Sequence, residues 1–508
     1  MRFTTKILVT YFLFTLSELT HAQNAAERSL YNIDYSISAQ IDQSQGKTPF
    51  WLTSNRYGLS SFDRSNGLLR IAMAHQTEND SLSKWRIGYG VDLAVGYNQT
   101  STLTVQQLYA DLQYKLVRLS LGAKQQPLAF KNAELSTGSQ TLGINARPVP
   151  ALRLELPEYW NISGKSDFVG IRGHISYGMM TDGGFQEDRL QGTNEHYIKK
   201  ALLHTKAGYM RIGNVRKFPL VLEGGLEMAT EFGGTAYYIQ SDKVNEGEPV
   251  KMGNSLKDFF HATFSGGGDI TDGEGYSNSM GNMLGSWVAR LSWNAPNWSI
   301  STYYDHYFED HSEMFLQYGW FDGMVGIEAH LPKNRFVDAL TYEYIKTTYQ
   351  SGPVYHDHTE SLPDQISGTD HYYNHNIYQG WQHWGQAIGN PLFLSPLYSN
   401  NKTLFFPSTR FKANHIGISG NPTSNIHYRL LYTHQRSLGT YSNNFSHACT
   451  ANSMLVECCY SPTRIGRANL SGWSAKLAFA LDRGDLIGNN TGFQITLAKQ
   501  GVFGKKSR

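Results

Sequence analysis

The chain has 508 residues, a formal net charge of +2, 17% charged and 13% aromatic residues, and 49 glycines. It carries no basic stripe for nucleic acid and no run of about 18 apolar residues that would cross a membrane as a helix. Low charge, abundant Tyr, Phe, Trp and Gly, and a negative mean hydropathy fit a transmembrane β-barrel, whose strands show one side to lipid and the other to a polar interior.

At the N-terminus, Arg2 and Lys6 flank the start of a mostly apolar stretch, Ile7 to Leu16, and Thr20-His21-Ala22 ends on a small residue. This is the pattern of a secretory signal peptide over residues 1–22, cleaved after Ala22; the competing reading is a buried first helix. Residues 23–508 hold no Pro-rich spacer, Ser/Gly tract or block of like charge, so they read as a single outer-membrane barrel domain.

Period-two alternation then recurs in pieces of about ten residues. In Ile87–Tyr97 the odd positions are Ile, Tyr, Val, Leu, Val and Tyr, and the even ones are Gly, Gly, Asp, Ala and Gly. In a strand these sets point to opposite faces. The same pattern returns around Val169–Met179, Leu222–Phe232, Trp287–Trp293, Ile426–Thr433, Trp473–Asp482 and Phe493–Leu497. In Leu202–Ile212 both faces mix apolar and charged residues, and neither face is assigned. Tight turns at Asn294–Asn297, Leu331–Asn334, Ser419–Pro422 and Asp485–Asn490 alternate with long polar segments near 236–285, 350–409 and 436–470, expected as extracellular loops. About 17 candidate strands can be counted, and the preference for even numbers makes 16 or 18 the expectation.

Several residue sets bear on chemistry. Glu223, Glu227 and Glu231, four apart on one strand, face inward with Arg172, His174, Arg290 and Arg429. They read as a polar network holding a plug, with acid–base work on a glycan as the competing reading. Tyr372, Tyr373, Tyr378, Trp381 and Trp384 lie among Asn, Gln and His in the 350–409 segment. Aromatic faces stack on sugar rings while amides bond the hydroxyls, so these five are glycan-binding candidates; the alternative is packing of the loop into the barrel mouth. Arg147, ahead of the rigid Pro148-Val149-Pro150, can grip a carboxylate or phosphate, or else pair with an acid inside the plug. The glycines of Ser265–Gly275 read as a flexible outer loop and not a phosphate loop. His356 and His358 lack a spaced third ligand, so no metal site is expected. Cys449 can pair with Cys458 or Cys459 to staple a loop.

Four strings add a further level: Thr48-Pro49-Phe50-Trp51-Leu52-Thr53-Ser54-Asn55-Arg56-Tyr57-Gly58, Leu135-Ser136-Thr137-Gly138, Asn145-Ala146-Arg147-Pro148-Val149-Pro150 and Gly389-Asn390-Pro391-Leu392. With Gln107–Leu112, Gly173-His174 and Tyr177-Gly178 between them, the chain resembles the Wzi family of capsule-assembly outer-membrane proteins. The resemblance implies a closed barrel of 18 strands, its lumen blocked by loops and small periplasmic helical elements. It further implies a lectin-like role, attaching or organising capsular polysaccharide at the cell surface. The partners it implies are that polysaccharide or an exopolysaccharide, outer-membrane lipid and the capsule-export machinery. It implies no catalytic residue and no cofactor. A porin or specific channel, and an outer-membrane hydrolase, are the competing functions. The chain departs from a common barrel ending in that Phe503 is followed by Gly504-Lys505-Lys506-Ser507-Arg508.

Overall fold

The computed structural model describes residues 32–77, 84–238, 248–264, 281–309, 314, 322–356, 365–369 and 371–504. The signal-peptide stretch, the glycine-rich 265–275 region and His358 lie outside them.

Eighteen antiparallel strands form one closed sheet. In chain order they are β1 (Ile33–Gln45), β2 (Ser65–His75), β3 (Trp85–Tyr97), β4 (Leu103–Tyr114), β5 (Val117–Ala123), β6 (Ala151–Asn161), β7 (Val169–Met179), β8 (Leu202–Ile212) and β9 (Leu220–Phe232). They continue as β10 (Asn282–Asn294), β11 (Ser299–Glu309), β12 (Gly323–His330), β13 (Ala339–Lys346), β14 (Phe411–Thr423), β15 (Ile426–Gly439), β16 (Asn444–Tyr460), β17 (Trp473–Arg483) and β18 (Asn490–Phe503). Each pairs with its neighbours in sequence, and β1 closes on β18 from Ile33↔Phe503 to Gln45↔Thr491. Closure leaves no backbone edge unpaired, which the bilayer interior requires. Phe503 stacks on Tyr35 with ring centroids 4.2 Å apart. The terminal aromatic therefore keeps its place in the last strand despite the five residues beyond it.

The alternation seen in the sequence becomes inside and outside. On β3, Val91, Leu93 and Val95 face outward and Gly90, Asp92 and Ala94 are buried. At one end of the barrel the outward face carries Trp160, Phe218, Trp293, Trp298, Phe336, Trp473 and Phe503, all exposed. This is an aromatic girdle at a membrane interface. The start of β1 and the end of β18 lie at this end and the long connections all lie at the other, so this end is the periplasmic one.

The plug comes from the opposite, extracellular side. Segments 46–64, 124–150 and 371–410 turn back into the lumen, where Phe50, Trp51, Leu135, Tyr373, Trp381 and Phe393 join one buried cluster with wall residues such as Tyr303 and Tyr307. Helices α1 (Phe50–Thr53), α2 (Gly183–Leu190) and α3 (Leu256–Phe264) all lie in extracellular-side connections. The periplasmic helical elements expected from the resemblance reduce, among the described residues, to one 3-10 turn at Gly164–Ser166. The third expected loop is also corrected: 436–470 contains β16, which pairs with β15 and β17 along most of its length. All three cysteines lie on this strand and are free. Cys449 is nine residues from Cys458, about 30 Å along an extended chain, so neither it nor Cys459 can reach Cys449.

Candidate functional site

The four resemblance strings meet one another in the lumen. Asn55 N–H donates to Asn145 Oδ1 at 2.9 Å, and its side-chain amide donates to the Thr137 carbonyl at 3.0 Å. Asn145 in turn donates to the Ala387 carbonyl at 2.9 Å, and Asn390 to Thr137 Oγ1 and the Gly138 carbonyl, both at 3.0 Å. A side chain at Gly389 would collide with Tyr373 Oη and the Gln140 carbonyl, so only glycine lets these pieces close. The barrel wall grips this assembly. Glu343 on β13 accepts from Ser136 Oγ (2.5 Å), Thr137 N–H (2.8 Å), Thr137 Oγ1 (2.6 Å) and Tyr303 Oη (2.6 Å). Lys131 reaches Asp305 at 2.6 Å with its side chain fully buried, and Trp51 Nε1 donates to Thr433 at 3.2 Å.

The aromatic candidates fall on both sides of this closure. Tyr372, Tyr373, Tyr378 and Trp381 are at most 1% exposed. Tyr373 stacks on Phe393 at 3.9 Å, and Trp381 Nε1 donates to the Thr141 carbonyl at 2.8 Å. These four fill the plug and are not open to a glycan, because a lumen this wide needs large side chains to close it. Trp384 alone is half-buried. It is held in the left-handed backbone region at φ +57°, with its N–H on Asp182 at 3.1 Å. Its ring lies 4.4 Å from the Arg147 guanidinium and 5.6 Å from the Phe185 ring. Arg147 donates to Thr100 Oγ1 at 2.5 Å, at the extracellular β3–β4 turn, and its Nε has no hydrogen-bond partner. Burial holds its guanidinium down to about 10, which leaves it charged at neutral pH. His383 Nδ1 bonds the Arg147 carbonyl at 2.9 Å and its Nε2 takes the Thr181 N–H at 3.2 Å. That pair of bonds requires neutral imidazole, and burial lowers its pKa accordingly.

Beneath Arg147 lies a luminal cavity of about 240 Å³. Arg118, Lys124, Arg147, Arg153 and Arg172 line it against Glu155 and Glu227. Glu155 binds Arg118 at 2.8 Å and Arg153 at 2.7 Å. Arg172 stacks on Tyr159 and Tyr209, 5.0 Å and 4.8 Å from their ring centres. It also lines a second, more open cavity of about 580 Å³ toward the periplasm, with Arg211, Glu223, Arg290 and Glu328.

Of the seven residues expected as one polar network, five adjoin through Arg172, which lines the upper cavity with His174 and Glu227 and the lower one with Glu223 and Arg290, and two lie apart. Glu231 is held by Asn282 at 2.8 Å, and Arg429 binds Glu457 at 2.9 Å beside Arg56. Glu227 is taken by Tyr209 Oη at 2.7 Å, so the inward glutamates have different partners. Arg118, Arg153 and Glu155 were missed from the sequence. Their inward positions on β5 and β6 follow from the alternation of Leu119 and Leu121, and of Leu152 and Leu154, on the outer face.

A closed 18-stranded barrel with a lipid-facing belt defines an outer-membrane β-barrel protein. No family model matches the chain, and neither does any curated protein. Among solved structures it is similar to Wzi of Escherichia coli, described as an outer-membrane protein involved in group 1 capsule assembly and a carbohydrate-binding β-barrel. The TM-score is 0.55 at 13% identity, over 94% of this chain and 86% of that one. OprD of Pseudomonas aeruginosa is similar at a TM-score of 0.46 and 9% identity, over 93% of this chain and 95% of that one. OccK3 of the same organism is similar at 0.45 and 10%, over 94% and 100%.

Proposed function

We propose that this outer-membrane protein is a lectin-like member of the Wzi type that attaches or organises capsular polysaccharide at the cell surface, by binding and without catalysis. The observation that carries the reading is the fate of the long extracellular connections. They close the lumen with a hydrogen-bonded, aromatic plug and leave Trp384, stacked on Arg147 and next to Phe185, half-open at the mouth. An aromatic face offers a sugar ring its apolar side, and a fixed guanidinium beside it suits the carboxylate or phosphate of an acidic polysaccharide. The carbohydrate-binding barrel of similar fold supports the same reading. The glycan contacts proposed are Trp384, Phe185 and Arg147. The four buried aromatics are not among them.

The test is binding of purified capsular polysaccharide to the purified barrel and to Trp384→Ala. The expected result is saturable binding weakened about tenfold by the substitution, roughly 1.4 kcal/mol. Equal binding by both proteins contradicts the site, and no binding by either contradicts the function. One observation favours a channel instead: the two cation-lined cavities meet at Arg172. Steady ion conductance by the purified chain would favour that reading.

A further inference from the structure

Helix α3 lies outside the barrel. Tyr177 on β7, His204 and Lys206 on β8 and Phe232 on β9 have outward-facing register, Tyr177↔His204 and Ile175↔Lys206 being cross-strand partners. Phe259 of α3 packs edge-on against Phe232 at 5.1 Å and meets Tyr177 at 5.2 Å. Ala262 is 1% exposed, and the Thr263 carbonyl accepts the Lys206 ammonium. At the start of the helix Asp258 accepts from the Ser255 N–H at 2.6 Å and from the Ser255 hydroxyl at 2.8 Å. It thus covers two polar wall residues that would otherwise face lipid.

One flank of the helix is apolar, while the side opposite the wall carries the exposed Lys257. Leu256, Phe260 and Phe264, at i, i+4 and i+8, form one stripe and are 90%, 65% and 67% exposed. The lipid-facing belt runs past the helix at the same height. Met179, paired with Leu202, and Ile175, paired with Lys206, both face outward and are exposed beside it. We propose that α3 is immersed in the outer leaflet and that this stripe contacts lipid acyl chains, making the helix a lateral lipid anchor of the barrel wall. The occupant is lipid because the stripe continues the belt of strands β7 to β9. It carries an apolar face at a depth where the wall itself presents Met179 and Ile175 to the bilayer.

The experiment places photoactivatable benzoylphenylalanine at position 260 of the full chain in intact outer membranes. Position 222, a belt residue, is the lipid-facing control, and position 333, in a periplasmic turn, is the aqueous control. The expected result is a lipid adduct at 260 in a yield within about twofold of that at 222, and none at 333. A crosslink at 260 to a second copy of the chain, to the chain's own 265–280 segment, or to nothing while 222 captures lipid overturns the proposal.

Discussion

Glu343 ties the plug to the barrel wall through a single side chain. It projects from the wall and accepts four hydrogen bonds, three of them from Ser136 and Thr137 of the plug. Glu343→Ala strands those donors in a buried site, at an expected cost of about 2–3 kcal/mol to plug closure. Conductance recordings should then show transient openings absent from the unsubstituted chain; quiet records from the variant would contradict this role. Glu343 was not singled out in the sequence, because its plug partners are 206 and 207 residues away. For the same reason Tyr372, Tyr373, Tyr378 and Trp381 read as glycan-binding candidates or as packing of the loop into the barrel mouth, with nothing in the sequence to choose between the two. Residue type is visible in a sequence and depth is not, so a loop that fills a lumen looks like a loop that meets a ligand. Arg147 was legible as a fixed cation next to prolines, and its ring partner Trp384 as one aromatic among five.

At the scale of elements, strands with one apolar and one small or polar face were readable, as Ile87–Tyr97 within β3 shows. β16 was not. Its inward set is Ala451, Ser453, Leu455 and Glu457 and its outward set is Asn452, Met454, Val456 and Cys458, so each face mixes apolar with polar. Pairing with two complete neighbours, not side-chain pattern, makes it a strand. Leu202–Ile212 was unassignable because its outer face carries His204 and Lys206, and α3 is what makes them tolerable there. The plug loop also carries a pH dependence. Burial pushes His375 down to about 4, with His196 opposing its charge, and burial also lowers His196 and His383. Released from the plug these imidazoles titrate near 6.5. Between that value and about 4 the released state binds more protons, so plug stability is complete above the window and falls as pH falls through it. Limited proteolysis within 371–410 should accelerate from pH 7 to pH 4.5 while the strands stay protected. A rate that is flat across that range would contradict the assignment.

The described residues form a closed wall around a plugged lumen, with a lipid-facing belt outside and, at the extracellular mouth, a half-buried Trp384 stacked on the buried Arg147. The barrel was legible because period two, repeated, has one membrane solution. The plug was legible only as strings whose meeting the chain's topology arranges. The most direct test compares cell-bound with shed capsular polysaccharide in a strain lacking this chain and in the same strain with it restored. The account predicts that the deleted strain makes polysaccharide but sheds it, and that restoring the chain returns it to the cell. Capsule that stays bound in the deletion, together with a fall in uptake of a small solute, would contradict the account and make the protein a channel.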